Sequence, residues 1–293
     1  MYAASLAEFG HVMPLGRSGG YLLRRPVVHS AFEDAMGCYP LFSCTNWRGL
    51  AKDVDDLRDV LVSVSLVADP FGDYDLKYLR RCFPDVVVPF KEHVVVDLAG
   101  SPLDNVTRHH RLRASASLRK VSVKVSPEPL MMLPVWSRLY ADFAKRRGID
   151  GIRAFSERAF ALQLATPGIV MFVAEVNGRA VAAHLWYEQN DVCHSHLACS
   201  GTEGRQLRAG FALYWTAIEH FRGHARWLNL GGAAGTRPAD ADALASFKRG
   251  WSSATRPTYF CGRILHPGRY ASLAAIHGAH PDYFPCYRKG EFQ

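Results

Sequence analysis

The segment 168-GIVMFVAEVNGRAVAAHLWYEQNDVCHSHLACSGTEGRQLRAGFALYWTAIEHF-221 decides the fold of this chain. Three runs rich in β-branched and apolar residues are separated by turn residues, which predicts consecutive strands. Asn177-Gly178 joins the first two runs, and this dipeptide is a strong hairpin signal. The segment therefore predicts an antiparallel meander over 168–197. A polar loop at 199–206 and an amphipathic helix at about 207–221 follow it.

The sequence beyond this segment continues with alternating strands and helices. Residues 227–230 predict a strand, 231–235 a glycine-rich loop, 239–249 a helix and 258–265 a final strand. A meander, then a loop and helix, then a strand, helix and strand is the element order of the GCN5-related N-acyltransferase (GNAT) fold. In that fold the loop before the central helix presents backbone N–H groups to a phosphate at the positive end of the helix.

The first half of the chain follows the same order more loosely. Residues 60–67 alternate apolar and small polar side chains, as a half-buried strand does. Residues 86–98 predict two strands that meet near Pro89, and the basic segment 103–120 is compatible with a helix. A duplicated fold is therefore plausible from the order of elements.

A domain junction is expected at Ser126-Pro127-Glu128-Pro129, because the prolines remove backbone donors and disfavour helix before them. The next segment, 130–147, has the apolar spacing of a helix, and Gly148 is expected to cap it. The fold class that we predict is α/β (α+β). Two tandem GNAT-like domains, residues 1–126 and 127–293, would each have a mixed, mostly antiparallel sheet flanked by helices.

The composition is that of a globular protein with excess positive charge. The chain has 293 residues, 48% of them hydrophobic, and a formal net charge of +8. Excess cationic charge favours nucleic acid or a phosphorylated small molecule as a partner, unless it only reflects a basic proteome. The seven cysteines form no CxxC pair, so we expect reduced packing thiols. The absence of a secretory signal and of a membrane-length apolar run favours a cytoplasmic protein.

Several short segments, by their order and spacing, resemble the FemABX-like superfamily from about residue 60 onward. They are SLVADPF (65–71), PFKEH (89–93), RGI (147–149), HLWY (184–187), NLGG (229–232) and SFKRG (246–250). The resemblance implies tandem acyltransferase-type domains. Members of this superfamily include aminoacyl-tRNA-dependent transferases that extend peptidoglycan precursors, relatives that add a residue to peptide antibiotics, and an acetyltransferase-like branch.

The choice of acyl donor depends on the start of the central helix. Acetyl-CoA users of this fold carry Arg or Gln, two residues, Gly, one residue, then Gly or Ala at that place. Here the matching frame, 207–212, begins with Leu207. Aminoacyl-tRNA is therefore the preferred donor, with no cofactor and no metal, and acetyl-CoA is the alternative.

The acceptor is expected to be the amine of a soluble, peptide-like molecule. Members that act on peptidoglycan commonly insert a long helical arm, and no extended charged heptad segment is present here. We therefore favour peptide antibiotic or other specialised biosynthesis, with a small amino acid such as alanine transferred. A peptidoglycan-bridge aminoacyl transferase stays open, as does a catalytically silent RNA-binding or scaffold protein.

The catalytic residues that the resemblance implies are Lys248 and Phe247, which occupy the family's Phe-Lys pair. Lys248 would hold the terminal tRNA phosphate or the negative charge that develops during the reaction. Phe247 would pack against the terminal adenosine or the reacting ester. The structural alternative is a core phenylalanine beside a solvated lysine.

Further candidates have weaker support from the sequence. Basic residues expected at tRNA phosphates are Arg249, Arg205, Arg208 and Arg147. Residues expected near the acceptor are Trp186, Tyr187 and Lys91. A general base is sought in His196 or Glu175, with Asp191 as a rival, unless the ribose of the tRNA itself transfers the proton. His194 and His196 would share one side of a regular strand.

Overall fold

A computed structural model describes residues 2–149, 151, 154–233, 243–278, 280 and 282–291. The chain divides into two compact units. Unit 1 comprises Met1–Lys91, Gly151–Arg153 and Pro257–Gln293, and unit 2 comprises Glu92–Asp150 and Ala154–Arg256.

The described strands and helices alternate along the chain. The strands are β1 (His11–Pro14), β2 (Tyr21–Pro26), β3 (Glu33–Gly37), β4 (Ser63–Ala68), β5 (Val86–Asp97), β6 (Ser122–Ser126), β7 (Ile169–Val176), β8 (Arg179–Gln189), β9 (Val192–Ser200), β10 (Trp227–Gly231) and β11 (Thr255–Ile264). The α-helices are α1 (Leu50–Asp55), α2 (Leu76–Cys82), α3 (Arg108–Leu118), α4 (Leu133–Arg147), α5 (Glu157–Leu164), α6 (Thr202–Gln206), α7 (Ala209–Phe221), α8 (Ala243–Arg249) and α9 (Pro267–His277).

Unit 1 contains a mixed sheet in the order β1-β2-β3-β4-β11. Strands β3 and β4 are parallel, and the other neighbours are antiparallel. The predicted strand at 60–67 is present as β4, whose apolar side chains Val64 and Leu66 lie in a core with Trp47 and Phe83. Where two strands were expected to meet near Pro89, the single strand β5 runs through the proline. That expectation was wrong, because proline adopts an extended φ and removes only one backbone donor.

Unit 2 contains the order β5-β10-β9-β8-β7-β6, with β5 contributing its part from Glu92 onward. The predicted meander is present as β7, β8 and β9, and Asn177 and Gly178 form its first turn with positive φ of 48° and 77°. Helix α7 packs on β7 and β8 and fills the core with Leu213 and Phe221. Helix α4 packs on β8 and β9.

Several local predictions in unit 2 match the described elements. Helix α4 ends at a left-handed Gly148 with φ of 61°, as expected for a glycine C-cap. The basic segment forms α3, whose N-cap Thr107 accepts a hydrogen bond from the backbone of His110. The expected domain boundary between residues 126 and 127 lies within unit 2, because β6 before it pairs with β7 after it.

Candidate active site

Helix α8 ends with Ser246-Phe247-Lys248-Arg249, and Gly250 follows directly. Residues 239–242 of the helix predicted at 239–249 lie outside the described residues. The His110 imidazole packs on Gly250 so closely that a Cβ there would be 1.9 Å from Cε1 of the ring. Nε2 of His110 donates a hydrogen bond to the Phe247 carbonyl at 2.9 Å. Gly250 is thus required for α3 to anchor the end of α8.

Phe247 belongs to an aromatic cluster formed by α3, α7 and the end of α8. Its ring centroid lies 5.0 Å from Phe211, 5.0 Å from Tyr214 and 5.9 Å from Trp251. The contacts with Phe211, Tyr214 and Trp251 are edge-to-face, the geometry that aromatic quadrupoles favour. These contacts fix the orientation of α8 and therefore the direction of the next residue, Lys248.

Lys248 is buried, with 8% of its surface exposed. Its Nζ donates a hydrogen bond to the Gly232 carbonyl at 2.7 Å. Gly231 has a positive φ of 80°, and a Cβ there would lie 3.0 Å from the ammonium nitrogen. The Gly231-Gly232 turn is therefore shaped to receive the Lys248 ammonium, which differs from a solvated surface lysine.

The turn that receives Lys248 lies where two parallel strands part. Strand β10 pairs with β9 from Trp227 to Asn229, opposite Val192 to His194. Strand β9 then continues to Ser200, while β10 ends at Gly231. The buried cation consequently lies at the diverging end of β9 and β10.

A buried histidine that the sequence reasoning did not assign lies near Lys248. His184 on β8 is fully buried, and its Nε2 lies 2.8 Å from Ser195 Oγ. Its Nδ1 has no hydrogen-bond partner among the described residues. Burial, with a further contribution from the Lys248 charge, lowers the pKa of His184 to about 3. The His184 side chain is therefore neutral at physiological pH. The feature of the sequence that could have indicated its burial is its central position in a strand of the meander.

Ser195 extends this buried polar group to the central helix. The Ser195 side chain also hydrogen-bonds to Tyr214 on α7, and burial raises the pKa of that phenol to about 12. The Tyr214 ring lies 4.6 Å from His184. Ser195 and Tyr214 therefore hold the neutral imidazole between the sheet and α7.

His196 and His194 have different surroundings on β9. The pairing of β8 with β9 is irregular at this point, because Leu197 and Ser195 pair with consecutive residues of β8 and His196 is skipped. Nε2 of His196 donates to Gln163 Oε1 at 3.2 Å, and burial lowers the pKa of His196 to about 3. The expectation that His194 and His196 share one side assumed a regular strand, and β9 is not regular at this point.

The two aromatic residues expected near an acceptor differ in burial. Trp186 is fully buried in the unit 2 core, where its ring contacts Tyr214 and Phe221. Tyr187 is partly buried, and its hydroxyl donates to the Gln163 carbonyl at 3.4 Å. Tyr187 is therefore the member of the pair with surface available to a ligand.

Glu175 and Lys91 lie in other surroundings. Glu175 on β7 forms a 2.7 Å ion pair with Lys124 of the neighbouring strand β6. Lys91 is in unit 1, where its backbone N–H and carbonyl both bond to Thr258 Oγ1. The Lys91 ammonium lies 5.1 Å from the centre of the Phe90 ring.

Three arginines lie close together at the end of α4 and in α6. Arg146, Arg147 and Arg205 are exposed. Burial lowers the pKa of Arg146, and the nearby charges of Arg205 and Arg147 lower it further. Arg205 donates to the Ser200 carbonyl and Thr202 Oγ1, each at 3.2 Å. We name Arg146, Arg147 and Arg205 the basic cluster.

Arg208 and Arg249 are exposed at the ends of other helices in unit 2. Arg208 precedes α7 in the left-handed conformation, with φ of 59°. Arg249 is the last residue of α8, directly after Lys248.

Some of the backbone N–H groups in the connection from β9 to α7 bond within the connection itself. It forms the short helix α6, and the N–H groups of Arg205 and Leu207 bond to the Gly201 and Glu203 carbonyls. The Ser117 hydroxyl donates to the carbonyls of Leu207 and Arg208. The N–H groups of Arg205 and Leu207 are therefore occupied within the loop that would present N–H groups to a pyrophosphate in a CoA-dependent member of the fold.

Comparisons with known proteins agree with this architecture. Residues 107–249 match the family model of the acetyltransferase (GNAT) domain. The structure of FemX, 15% identical, has a TM-score of 0.67 and covers 92% of each chain. The chain has the FemABX-like fold. The expected resemblance in fold and the α/β fold class are therefore confirmed.

Other structures share the FemABX-like fold across almost the whole chain. The C-terminal domain of a protein from Agrobacterium fabrum, described as a lysylphosphatidylglycerol synthetase, is 15% identical, covers 94% of this chain and 90% of its own, and has a TM-score of 0.63. L-PGS from Bacillus licheniformis is 14% identical, covers 95% and 96%, and has a TM-score of 0.58. No curated protein matches the chain significantly.

Two absences hold for the part of the chain that the structure describes. None of its helices is both long and apolar enough to cross a bilayer. In the same residues, no group of three or more His, Cys, Asp or Glu side chains is arranged to hold a metal ion.

Proposed function

We propose that this chain is an aminoacyl transferase that forms an amide bond between a small amino acid, carried as an aminoacyl-tRNA ester, and the amine of a peptide-like acceptor. The observation that carries the proposal is the Lys248 ammonium, buried at the diverging ends of β9 and β10 and bonded to the Gly232 carbonyl. A fixed cation in a poorly solvated site stabilises developing negative charge more strongly than a mobile surface lysine does.

The reaction requires no covalent enzyme intermediate. The neutral acceptor amine attacks the ester carbonyl, and the carbonyl oxygen gains negative charge as the C–N bond forms. Lys248 stabilises that charge or holds the terminal phosphate of the tRNA. When the C–O bond to the ribose breaks, the amine loses a proton and the departing ribose oxygen gains one.

The proton has a protein route and a substrate-assisted route. His196 and Glu175 stay the protein candidates, with Asp191 as a rival, and the neighbouring ribose hydroxyl is the substrate-assisted route. A conjugate acid with a pKa of about 3 makes His196 a weak base at neutral pH, and Glu175 is paired with Lys124. These observations favour the ribose hydroxyl.

The lysine must be an ammonium for this role. Its Nζ donates to the Gly232 carbonyl, and the edge-to-face contacts of Phe247 hold the end of α8. These contacts give the Lys248 side chain a defined direction. In this proposal the cation is preorganised before the substrate binds.

The basic cluster supports a nucleic-acid donor. We propose that the cluster and the exposed Arg208 and Arg249 contact phosphates of the acceptor stem. The net charge of +8 would assist association with a polyanion at low salt. Tyr187 stays the proposed acceptor residue, because Trp186 is fully buried in the core of unit 2 and Lys91 belongs to unit 1. Peptide antibiotic or other specialised biosynthesis is the proposed context.

An acyl-CoA-dependent N-acyltransferase is the second candidate. The match of residues 107–249 to an acetyltransferase domain favours it. The internal bonding of the β9–α7 connection, and Leu207 at the start of the CoA frame, count against it. A peptidoglycan-bridge aminoacyl transferase would use the same donor with another acceptor.

The experiment that tests the proposal is single-turnover transfer to a panel of amine acceptors. Radiolabelled aminoacyl-tRNA and acetyl-CoA are compared as donors, with the wild type, Lys248→Met, Lys248→Arg and the exposed-lysine control Lys77→Ala. We expect transfer from the tRNA, unchanged in the control and reduced at least about 100-fold in Lys248→Met. Transfer from acetyl-CoA alone would reject the proposed donor, and full activity of a folded Lys248→Met would reject the role of the lysine.

A further inference from the structure

Asn229, the third residue of β10, is almost fully buried, with 2% of its surface exposed. Its Oδ1 lies 2.9 Å from the Gly231 backbone nitrogen and 3.0 Å from His93 Nδ1. Its Nδ2 lies 3.2 Å from His194 Nδ1. One side chain thus connects strands β5, β9 and β10 within unit 2.

The contact with Gly231 determines how these hydrogen bonds are directed. A backbone N–H can only donate, so the amide atom that faces Gly231 is the carbonyl oxygen. His93 must then donate from Nδ1 to the same oxygen. Because Nδ2 of Asn229 donates to His194, His194 accepts at Nδ1 and is neutral, with its proton on Nε2.

The same contact shapes the turn that receives the lysine. The pairing of β10 with β5 shifts register between Asn229 and Gly231. A side-chain oxygen that accepts from the backbone two residues later stabilises such a turn locally. The turn brings Gly231 into a positive φ and presents the Gly232 carbonyl to Lys248 Nζ at 2.7 Å.

We propose that Asn229 is a positioning residue for Lys248, which it controls through the Gly231-Gly232 turn. His93 also donates to the Asn229 oxygen, whereas the Asn229 amide nitrogen donates to His194. The oxygen is the acceptor for the Gly231 N–H. Removing the Asn229 oxygen leaves the Gly231 N–H without its acceptor and frees the turn to move. The ammonium then loses its fixed direction. The effect of Asn229 on transfer rests on the proposed function, whereas its effect on the position of the Lys248 amine does not.

The test variant is Asn229→Leu, which keeps the volume and removes every polar contact of the side chain. The matched control is His194→Leu, which removes one partner of Asn229 and leaves its bond to Gly231. The first readout is the reactivity of the Lys248 amine toward isotopically labelled acetic anhydride across pH 7–10, measured by mass spectrometry against the other lysines. It requires no substrate and no turnover.

We expect labelling of Lys248 to rise at least about fivefold in Asn229→Leu, because a released turn exposes the amine. His194→Leu should stay within about twofold of the wild type. In the transfer assay Asn229→Leu should lower kcat by about 10- to 100-fold with little change in KM for the tRNA, because misplacing a reacting group affects the chemical step.

Unchanged Lys248 labelling in a folded Asn229→Leu would overturn the inference. Should that variant not fold, Asn229→Ala removes the same oxygen without adding apolar atoms to the site, and the same labelling decides. A wild type without transfer activity would reject the proposed function and leave the labelling result valid. Active wild type, inactive Lys248→Met and an unaffected Asn229→Leu would reject the positioning role alone.

Discussion

The buried, neutral His184 predicts a specific loss of stability in acid. In the unfolded chain an imidazole has a pKa of about 6.5. In the folded chain burial and the Lys248 charge lower the pKa of His184 to about 3. Protons therefore bind the unfolded state preferentially between these values, so the stabilisation is complete above about pH 6.5 and is lost as the pH falls toward 3.

The magnitude follows from the two pKa values. A pH of 5.0 is about 1.5 units below the pKa of histidine in the unfolded chain. At 1.36 kcal/mol per unit, the free energy of unfolding is therefore lower by about 2 kcal/mol at this pH. At pH 3 the loss approaches about 5 kcal/mol for His184 alone, an upper limit because partial opening of the site would reduce it.

Urea unfolding followed by tryptophan fluorescence measures this loss, since the Trp186 ring lies 4.6 Å from His184. We expect the free energy of unfolding of the wild type to fall by about 2 kcal/mol more than that of His184→Gln between pH 7.5 and 5.0. Burial also lowers the pKa values of His110, His196 and His220, but both proteins retain these groups. The exposed His11→Gln is the control, and equal pH dependence of wild type and His184→Gln would refute the reasoning.

Two further predictions concern α8 and the basic cluster. Gly250→Ala places a Cβ 1.9 Å from the His110 ring and should lower the free energy of unfolding by about 1–3 kcal/mol in urea titrations. The control Gly210→Ala on α7 should not destabilise the protein, because its Cβ would meet no neighbouring side chain within 4 Å. Equal stability of the two variants would show that α3 does not anchor α8. Replacing Arg146 and Arg205 by alanine should weaken tRNA binding, measured by filter binding. The slope of log Kd against log salt concentration should fall by about one unit for each lost phosphate contact. An unchanged slope would place the tRNA elsewhere.

The elements that the sequence predicted well are those determined by neighbouring residues. Asn177-Gly178 forms the hairpin turn because both residues tolerate positive φ, and Gly148 ends α4 for the same reason. The meander depends on this local chemistry and on alternation, so its strands were recognisable. Strand β5 was divided wrongly because Pro89 is a strong local signal that strand pairing overrides.

The candidate site was less predictable because its contacts join distant parts of the chain. His93 and Asn229 are 136 positions apart, and His110 and Phe247 are 137 apart. No local sequence pattern predicts that the lysine beside Phe247 is buried. Nor does any local pattern predict the register shift that gives His194 and His196 different neighbours. The family resemblance identified Lys248 as a candidate without indicating what holds it.

The contacts give the Phe-Lys-x-Gly spacing a physical explanation. Phe247 locks α8 to the aromatic cluster, Lys248 extends from the same turn to the Gly232 carbonyl, and Gly250 admits the His110 ring that bonds back to the Phe247 carbonyl. Each position therefore supports the same result, a lysine with a fixed direction. Because the glycine turn at Gly232 depends on a residue of another strand, Asn229, the motif on α8 alone should not suffice to position the cation. A chain that keeps SFKRG and loses Asn229 should retain the helix and lose the ordered ammonium.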